Sequence, residues 1–220
     1  INAPYGTKEV SVIRELTIKN IEKLLDMGAK SIVVACNTAT SAAVRVLRQM
    51  YPEIPLVGIE PAIKPAVEYK EKSRVVVMAT PMTLKQEKFQ NLMKKYENQA
   101  EIVPLPCPGL MEFVERGDLE GEDLYNYLSI LFGSVNSKKI DSVVLGCTHY
   151  PFAKKAIEAV VGKDVQIFDG GEGTAREMRR RMQCASLINP SKEKGTVKFI
   201  NSKDTEEERE LCEFLLNLKM

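Results

Sequence analysis

Two stretches of this chain echo one another, and each ends at a cysteine: Ser31-Ile-Val-Val-Ala-Cys36-Asn37-Thr38 and Ser142-Val-Val-Leu-Gly-Cys147-Thr148-His149. Each begins with a short β-branched run, the signature of a buried strand. Each places its Cys at the carboxyl end of that strand, followed by a Thr able to open a helix. Ligands of α/β sheets sit in the crevice at the carboxyl ends of the strands. The repeat therefore predicts two related halves facing one another across a site with a thiol on either side. Such a site is suited to moving a proton from one face of a carbon to the other.

The rest of the chain alternates in the same way. Helices are expected over 8–27, 37–50, 62–70, 82–98, 110–115, 118–133, 152–161 and 173–184, and strands over 31–35, 56–59, 74–78, 101–104, 142–145 and 165–168. Gly28 is placed to stop the first helix, and Thr80-Pro81 reads as an N-cap with proline in the first turn. The tail reads as a strand over 195–202 and a helix over 205–218. The fold class is α/β with mostly parallel sheets.

A chain of 220 residues, 44% hydrophobic, suffices for one large domain or two small ones with real cores. With 31 Lys and Arg against 30 Asp and Glu, the net charge of +1 gives no sign of a nucleic-acid or anionic-membrane partner. The apolar runs are strand-sized, too short to span a bilayer. Five cysteines without a C-x-x-C pair argue against a secreted disulfide framework and for a reducing cytoplasm. The opening Ile1-Asn-Ala-Pro-Tyr5-Gly6 reads as a loop rather than a start, so residues are expected upstream of Ile1.

Either cysteine alone would pass for a small buried hydrophobe. Together, in matched contexts and with Asn37, Thr38, Thr148 and His149 behind them, they read as a site. Helix N-termini behind the strands would bind a carboxylate and favour the thiolate, lowering the cysteine pKa. His149 is the only histidine, two residues from Cys147; it could hold a proton near that thiol, bond substrate, or be an ordinary half-buried side chain. One His and two distant Cys lack structural-zinc spacing, and there is no nucleotide loop. A Cys–His hydrolase would leave Cys36-Asn37-Thr38 without a role. Cys107, Cys184 and Cys212 read as packing or surface residues. Glu112 and Glu115 end a short helix, and Gly170 to Thr174 turn into another.

Ala3-Pro4-Tyr5-Gly6-Thr7, Ala35-Cys36-Asn37-Thr38-Ala39-Thr40 and Leu145-Gly146-Cys147-Thr148-His149-Tyr150-Pro151 together resemble bacterial glutamate racemases. Aspartate racemases share the two-Cys plan but typically follow the second Cys-Thr with Glu, where this chain has His149. The resemblance implies two pseudo-symmetric α/β domains with the site in the cleft between them, the first from residues 1–60 and 170–220, the second from 61–169. It implies cofactor-independent, two-base interconversion of L- and D-glutamate for peptidoglycan, with no metal. Cys36 and Cys147 would exchange the protons. Tyr5, Gly6, Asn37, Thr38, Thr148 and His149 would line the substrate site, and Glu115 would match a nearby family carboxylate. The family's N-terminal Asp-Ser-Gly strand is not in this chain, so the resemblance implies an incomplete, less active site in the stretch from Ile1 alone. The alternatives are a racemase of another acidic amino acid, such as aspartate, or a non-catalytic ligand-binding module. The small-molecule substrate is the expected partner, and a homodimer is left open.

Overall fold

The computed structural model describes residues 4–135 and 138–218; the expected opening at Ile1–Ala3 lies outside them. A 3-10 turn at Tyr5–Thr7 leads into α1 (Val10–Asp26). A first β-α-β unit follows: β1 (Ile32–Val34), α2 (Asn37–Met50) and β2 (Leu56–Gly58), the two strands parallel with Ile32 opposite Leu56. α1 and α2 cover this pair, burying Ile13, Ile21, Val44 and Leu47 against Ile32, Val34 and Leu56. Ala42 and Ala43 on α2 let it lie close to its neighbours, and the helix also buries its polar first turn, Asn37, Thr38 and Thr40.

The chain then builds a second, four-stranded parallel sheet. α3 (Ile63–Glu68) precedes β3 (Arg74–Ala79). α4 (Pro81–Lys85) and α5 (Glu87–Tyr96) connect to β4 (Glu101–Pro106). α6 (Leu110–Glu115) and α7 (Glu122–Gly133) return to β5 (Ser142–Leu145), and α8 (Lys154–Val161) leads to β6 (Gln166–Asp169). The strand order is β4-β3-β5-β6. β3 and β5 are buried along their whole length, as central parallel strands covered by helices on both faces must be. Leu124, Leu128 and Ile157 fill one face; Ile63, Ala66 and Phe89 fill the other. Strand order reverses between β3 and β5, so the crevice of this sheet opens where those two strands end.

α9 (Gly171–Cys184) packs back toward β2, and α10 (Glu206–Asn217) closes the described chain. No helix among the described residues is long and apolar enough to cross a membrane.

Three local expectations are corrected. The expected strand over 195–202 is irregular: Val197 and Ile200 are exposed, and the segment joins neither sheet among the described residues. The single helix expected over 82–98 is broken at Gln86, whose ψ of 135° is extended. Thr148 opens no α-helix; a 3-10 turn at Tyr150–Ala153 intervenes before α8. The N-cap reading of Thr80 holds, its hydroxyl accepting from the Thr83 N–H at 3.2 Å.

Candidate active site

Cys36 stands between the end of β1 and the start of α2, in extended conformation at φ −99° and ψ 122°. Its carbonyl accepts the first helical bond, from Thr40 N at 2.8 Å. Cys147 follows β5 through Gly146, whose N–H reaches Met78 O on β3 at 2.7 Å. Gly146 has no substitute here, because a Cβ would lie 2.5 Å from that same carbonyl oxygen.

The two cysteine turns clasp each other. The Asn37 Nδ2, one residue after Cys36, donates to Gly146 O at 2.9 Å, one residue before Cys147. The Thr148 hydroxyl, one residue after Cys147, donates to Ala35 O, one residue before Cys36. The bonds are reciprocal, and they are the chemical form of the repeat seen in the sequence. They hold the ends of β1 and β5, which belong to different sheets, side by side. The thiols are close enough for the Cys147 charge to act on Cys36.

The surroundings of the two sulfurs differ. Cys147 Sγ lies 3.7 Å from His149 Nδ1, and His149 Nε2 lies 2.7 Å from Glu115 Oε1 at the end of α6. Burial disfavours the imidazolium, but the bonds to Cys147 and Glu115 outweigh it and raise the His149 pKa to about 9. The bond from His149 in turn holds the Glu115 carboxyl below its usual range. Glu112 has no such partner among the described residues. Among the described residues no histidine or carboxylate is hydrogen-bonded to Cys36. Burial, the largest influence, pushes its thiol up; the N–H groups of Ala39 and Thr38 and the Thr38 hydroxyl pull the other way, while the Cys147 charge adds to the rise. The expected lowering by the helix N-terminus is therefore corrected for Cys36: at this partly buried position at the start of α2, three donors do not offset the desolvation of the thiolate.

The remaining expected residues fall in the same place. Tyr5 packs with Cys36 against the first core; burial, then the Cys36 charge, raises its phenol pKa. A Cβ at Gly6 would touch the Thr80 side chain at 3.4 Å. The Thr38 hydroxyl pairs with Thr83 at 3.0 Å, and Thr83 with Thr80 at 2.9 Å, a chain that ties α2 to the end of β3. Thr83 was missed in the sequence. Nothing local in the sequence records that Thr38 comes to meet it. Asn37 Oδ1 is buried without a partner. Of the other cysteines, Cys107 is buried, Cys212 half-buried and Cys184 exposed.

The Glu115–His149 pair gives a clean prediction. The folded pKa of His149 lies above its ordinary 6.5, so the stability that its protonated form contributes is complete below about 6.5 and is lost as pH rises through about 9. Glu115→Gln removes the carboxylate, lowers that pKa and brings the alkaline loss to lower pH. His149 is the only histidine, so its ring resonance can be titrated by NMR without assignment ambiguity. An unchanged midpoint in the variant would contradict the pairing.

Comparison with known proteins agrees with this geometry. The sequence profile described as Asp/Glu/Hydantoin racemase matches residues 5–178. A glutamate racemase of Clostridium perfringens is 50% identical over 218 residues, covering 99% of this chain and 84% of that protein. The crystal structure of glutamate racemase from Francisella tularensis in complex with D-glutamate has the same fold, with a TM-score of 0.82 at 24% identity over 100% of this chain and 81% of that one. The Escherichia coli glutamate racemase, solved with L-glutamate, gives a TM-score of 0.75 at 27% identity over 86% of this chain and 71% of that one. With half its residues shared with a named racemase along nearly its full length, and two cysteine turns clasped at one crevice, the chain belongs to the Asp/Glu/hydantoin racemase family.

Proposed function

We propose that this protein interconverts L- and D-glutamate by a two-base transfer in which Cys36 and Cys147 serve opposite faces of the substrate Cα. The observation that carries the reading is the reciprocal clasp of Asn37 on Gly146 O and Thr148 on Ala35 O. It presents the two thiols to one crevice from related halves, which is what inversion at a single carbon requires. The Cα–H of an amino acid is a very weak acid. Its removal calls for hydrogen bonds to the substrate carboxylate and exclusion of water from the developing carbanion. The hydroxyl chain Thr38–Thr83–Thr80 and the N–H groups at the start of α2 are suitable donors. Asn37 Oδ1, buried and unpartnered, suits the substrate ammonium.

The unequal surroundings assign the resting roles. His149, charged and backed by Glu115, stands beside Cys147 as its hydrogen-bonding partner, while burial keeps Cys36 a thiol. Cys147 then takes the proton from L-glutamate as Cys36 delivers one to the far face; D-glutamate runs the same path in reverse. On this reading the chain divides at residues 60 and 170, with one thiol in each half. D-Glutamate so made serves peptidoglycan assembly, and five unpaired cysteines are in keeping with a reducing cytoplasm.

Circular dichroism of reaction mixtures without added metal or pyridoxal phosphate tests this reading. The signal of L-glutamate is expected to decay to zero while that of L-aspartate persists. Faster decay of aspartate would make the protein an aspartate racemase, and a constant signal with both would make it a binding module.

A further inference from the structure

The half-buried residues of α10 fall at Glu208, Leu211, Cys212 and Leu215, the i, i+3, i+4, i+7 spacing of one helix face. That face lies against the end of α6: a Cβ on Gly117, two residues beyond Glu115, would stand 3.7 Å from Leu211 Cδ1. Gly117 turns the chain there at φ 71°, in the left-handed region. Glu208, one turn before Leu211 on the same face, is thereby brought toward Glu115.

Glu208 does not arrive alone. Its carboxylate accepts from Asn201 Nδ2 at 3.0 Å and pairs with the Lys203 ammonium. Asn201 Oδ1 also accepts from the Lys203 N–H at 2.9 Å. Asp204, in the left-handed region at φ 51°, turns the chain into α10, where the Thr205 hydroxyl accepts from the Glu208 N–H at 3.4 Å. Arg209 Nη1 holds the Asp204 carboxylate at 2.6 Å. These bonds build a turn that carries one placed ammonium. The Glu208 side chain is 15% exposed and that of Lys203 52%, so the carboxylate is the anchor and the ammonium the solvent-facing end. The charges register the approach. On Glu115 the His149 bond is the largest influence and burial opposes it, while the charges of His149 and Lys203 both hold the carboxyl down. Lys203 is raised first by its bond to Glu208, and the Glu115 charge adds to the rise. The Cys212 thiol, on the same face of α10, is pushed up by burial and then by the charges of Glu208 and Glu115.

We propose that Lys203 is a positioning residue of the active site: the turn 201–204 and α10 hold its ammonium beside Glu115, where it keeps that carboxylate ionised and facing His149. An anionic amino acid entering the crevice opposes a carboxylate nearby, and a fixed cation offsets that opposition. The consequence for Cys147 rests on the racemase reading above; the placement of the ammonium does not. The groups that face Glu115 among the described residues are His149, Lys203 and Cys212; Glu208 faces Lys203, and Cys147 faces His149. Protonation of Glu115 is therefore read as an acid-side inflection in the NMR titration of the His149 ring. In Lys203→Met that inflection is expected at higher pH, in Lys203→Glu at higher pH still, and in Lys203→Arg where the unaltered protein has it. The displacement should shrink at about 1 M salt, where the Debye length is about 3 Å. The acid limb of kcat/KM for L-glutamate, which reports the free protein, should move in the same direction. An inflection that stays in place in both the Met and the Glu variants overturns the proposal. So does an Arg variant displaced as far as the Met variant, since charge is then not what acts. Displaced inflections in a protein that racemises nothing would refute the proposed function and leave the action of Lys203 on Glu115 standing.

Discussion

Replacing either Cys36 or Cys147 by alanine is expected to abolish racemisation, with a loss of at least about 10²–10⁴-fold in kcat, the range for removing a general acid or base. The two single losses should be nearly as large as that of the double variant, because each thiol is half of one relay. The geometric reason is that a thiol on one side of a planar carbanion reaches only one face. The same reason fixes the fate of the hydrogen. In deuterated water, early D-product formed from L-glutamate should carry deuterium at Cα, while the remaining L-substrate stays largely protonated; D-glutamate should behave in mirror fashion. A single-base enzyme would return substrate-derived hydrogen to the product. Near-normal turnover by either single variant would end the two-thiol mechanism. Asymmetry should also be visible: Glu115→Gln acts on the Cys147 side alone, because His149 reaches no other sulfur among the described contacts.

Gly146→Ala should lose activity almost as completely without touching a reactive atom. The added Cβ would fall 2.5 Å from Met78 O and 3.2 Å from Ala79 Cβ, both on the central strand β3. Backbone carbonyls in a parallel sheet cannot swing aside as a flexible side chain can. The end of β5 must therefore move, and with it Cys147 and the Gly146 carbonyl that Asn37 holds at 2.9 Å. Misplacing a reacting group by about 1 Å can cost on the order of 10²-fold. The rest of β5 stays paired with β3 from Ser142 to Leu145, so the fold should survive with a lowered melting temperature. Assaying racemisation beside thermal unfolding separates the two effects. A Gly146→Ala protein with full activity would show that the β5 end tolerates displacement and that the clasp does not position Cys147.

Much of this protein was legible in the chain. Short apolar runs placed the strands of both sheets, most plainly β3 and β5, because buried parallel strands need apolar side chains on both faces. The repeated strand–Cys–polar unit marked both thiols, since cysteine is rare enough that two in matched contexts carry information. Glu115 and His149 were visible as titratable residues, but their meeting was not. They are 34 positions apart, and the contact exists only because α6 ends where the turn after β5 begins.

What tertiary structure alone decided follows one pattern. The break at Gln86 has no glycine or proline to announce it; it lies where Thr83 is drawn to Thr38 and where Phe89 and Tyr96 must face the sheet. The segment 195–202 has strand-like residues but pairs with neither sheet among the described residues, and a strand is a property of a pair. The helix N-terminus behind Cys36 promised a lowered pKa, yet the density of chain around the sulfur turned the shift upward. Sequence by itself determined the order of elements and the identity of the reactive groups, because both are written in local periodicity and residue type. Pairing, burial and charge balance were decided only by the fold, because each is a sum over neighbours that the chain brings together from far apart.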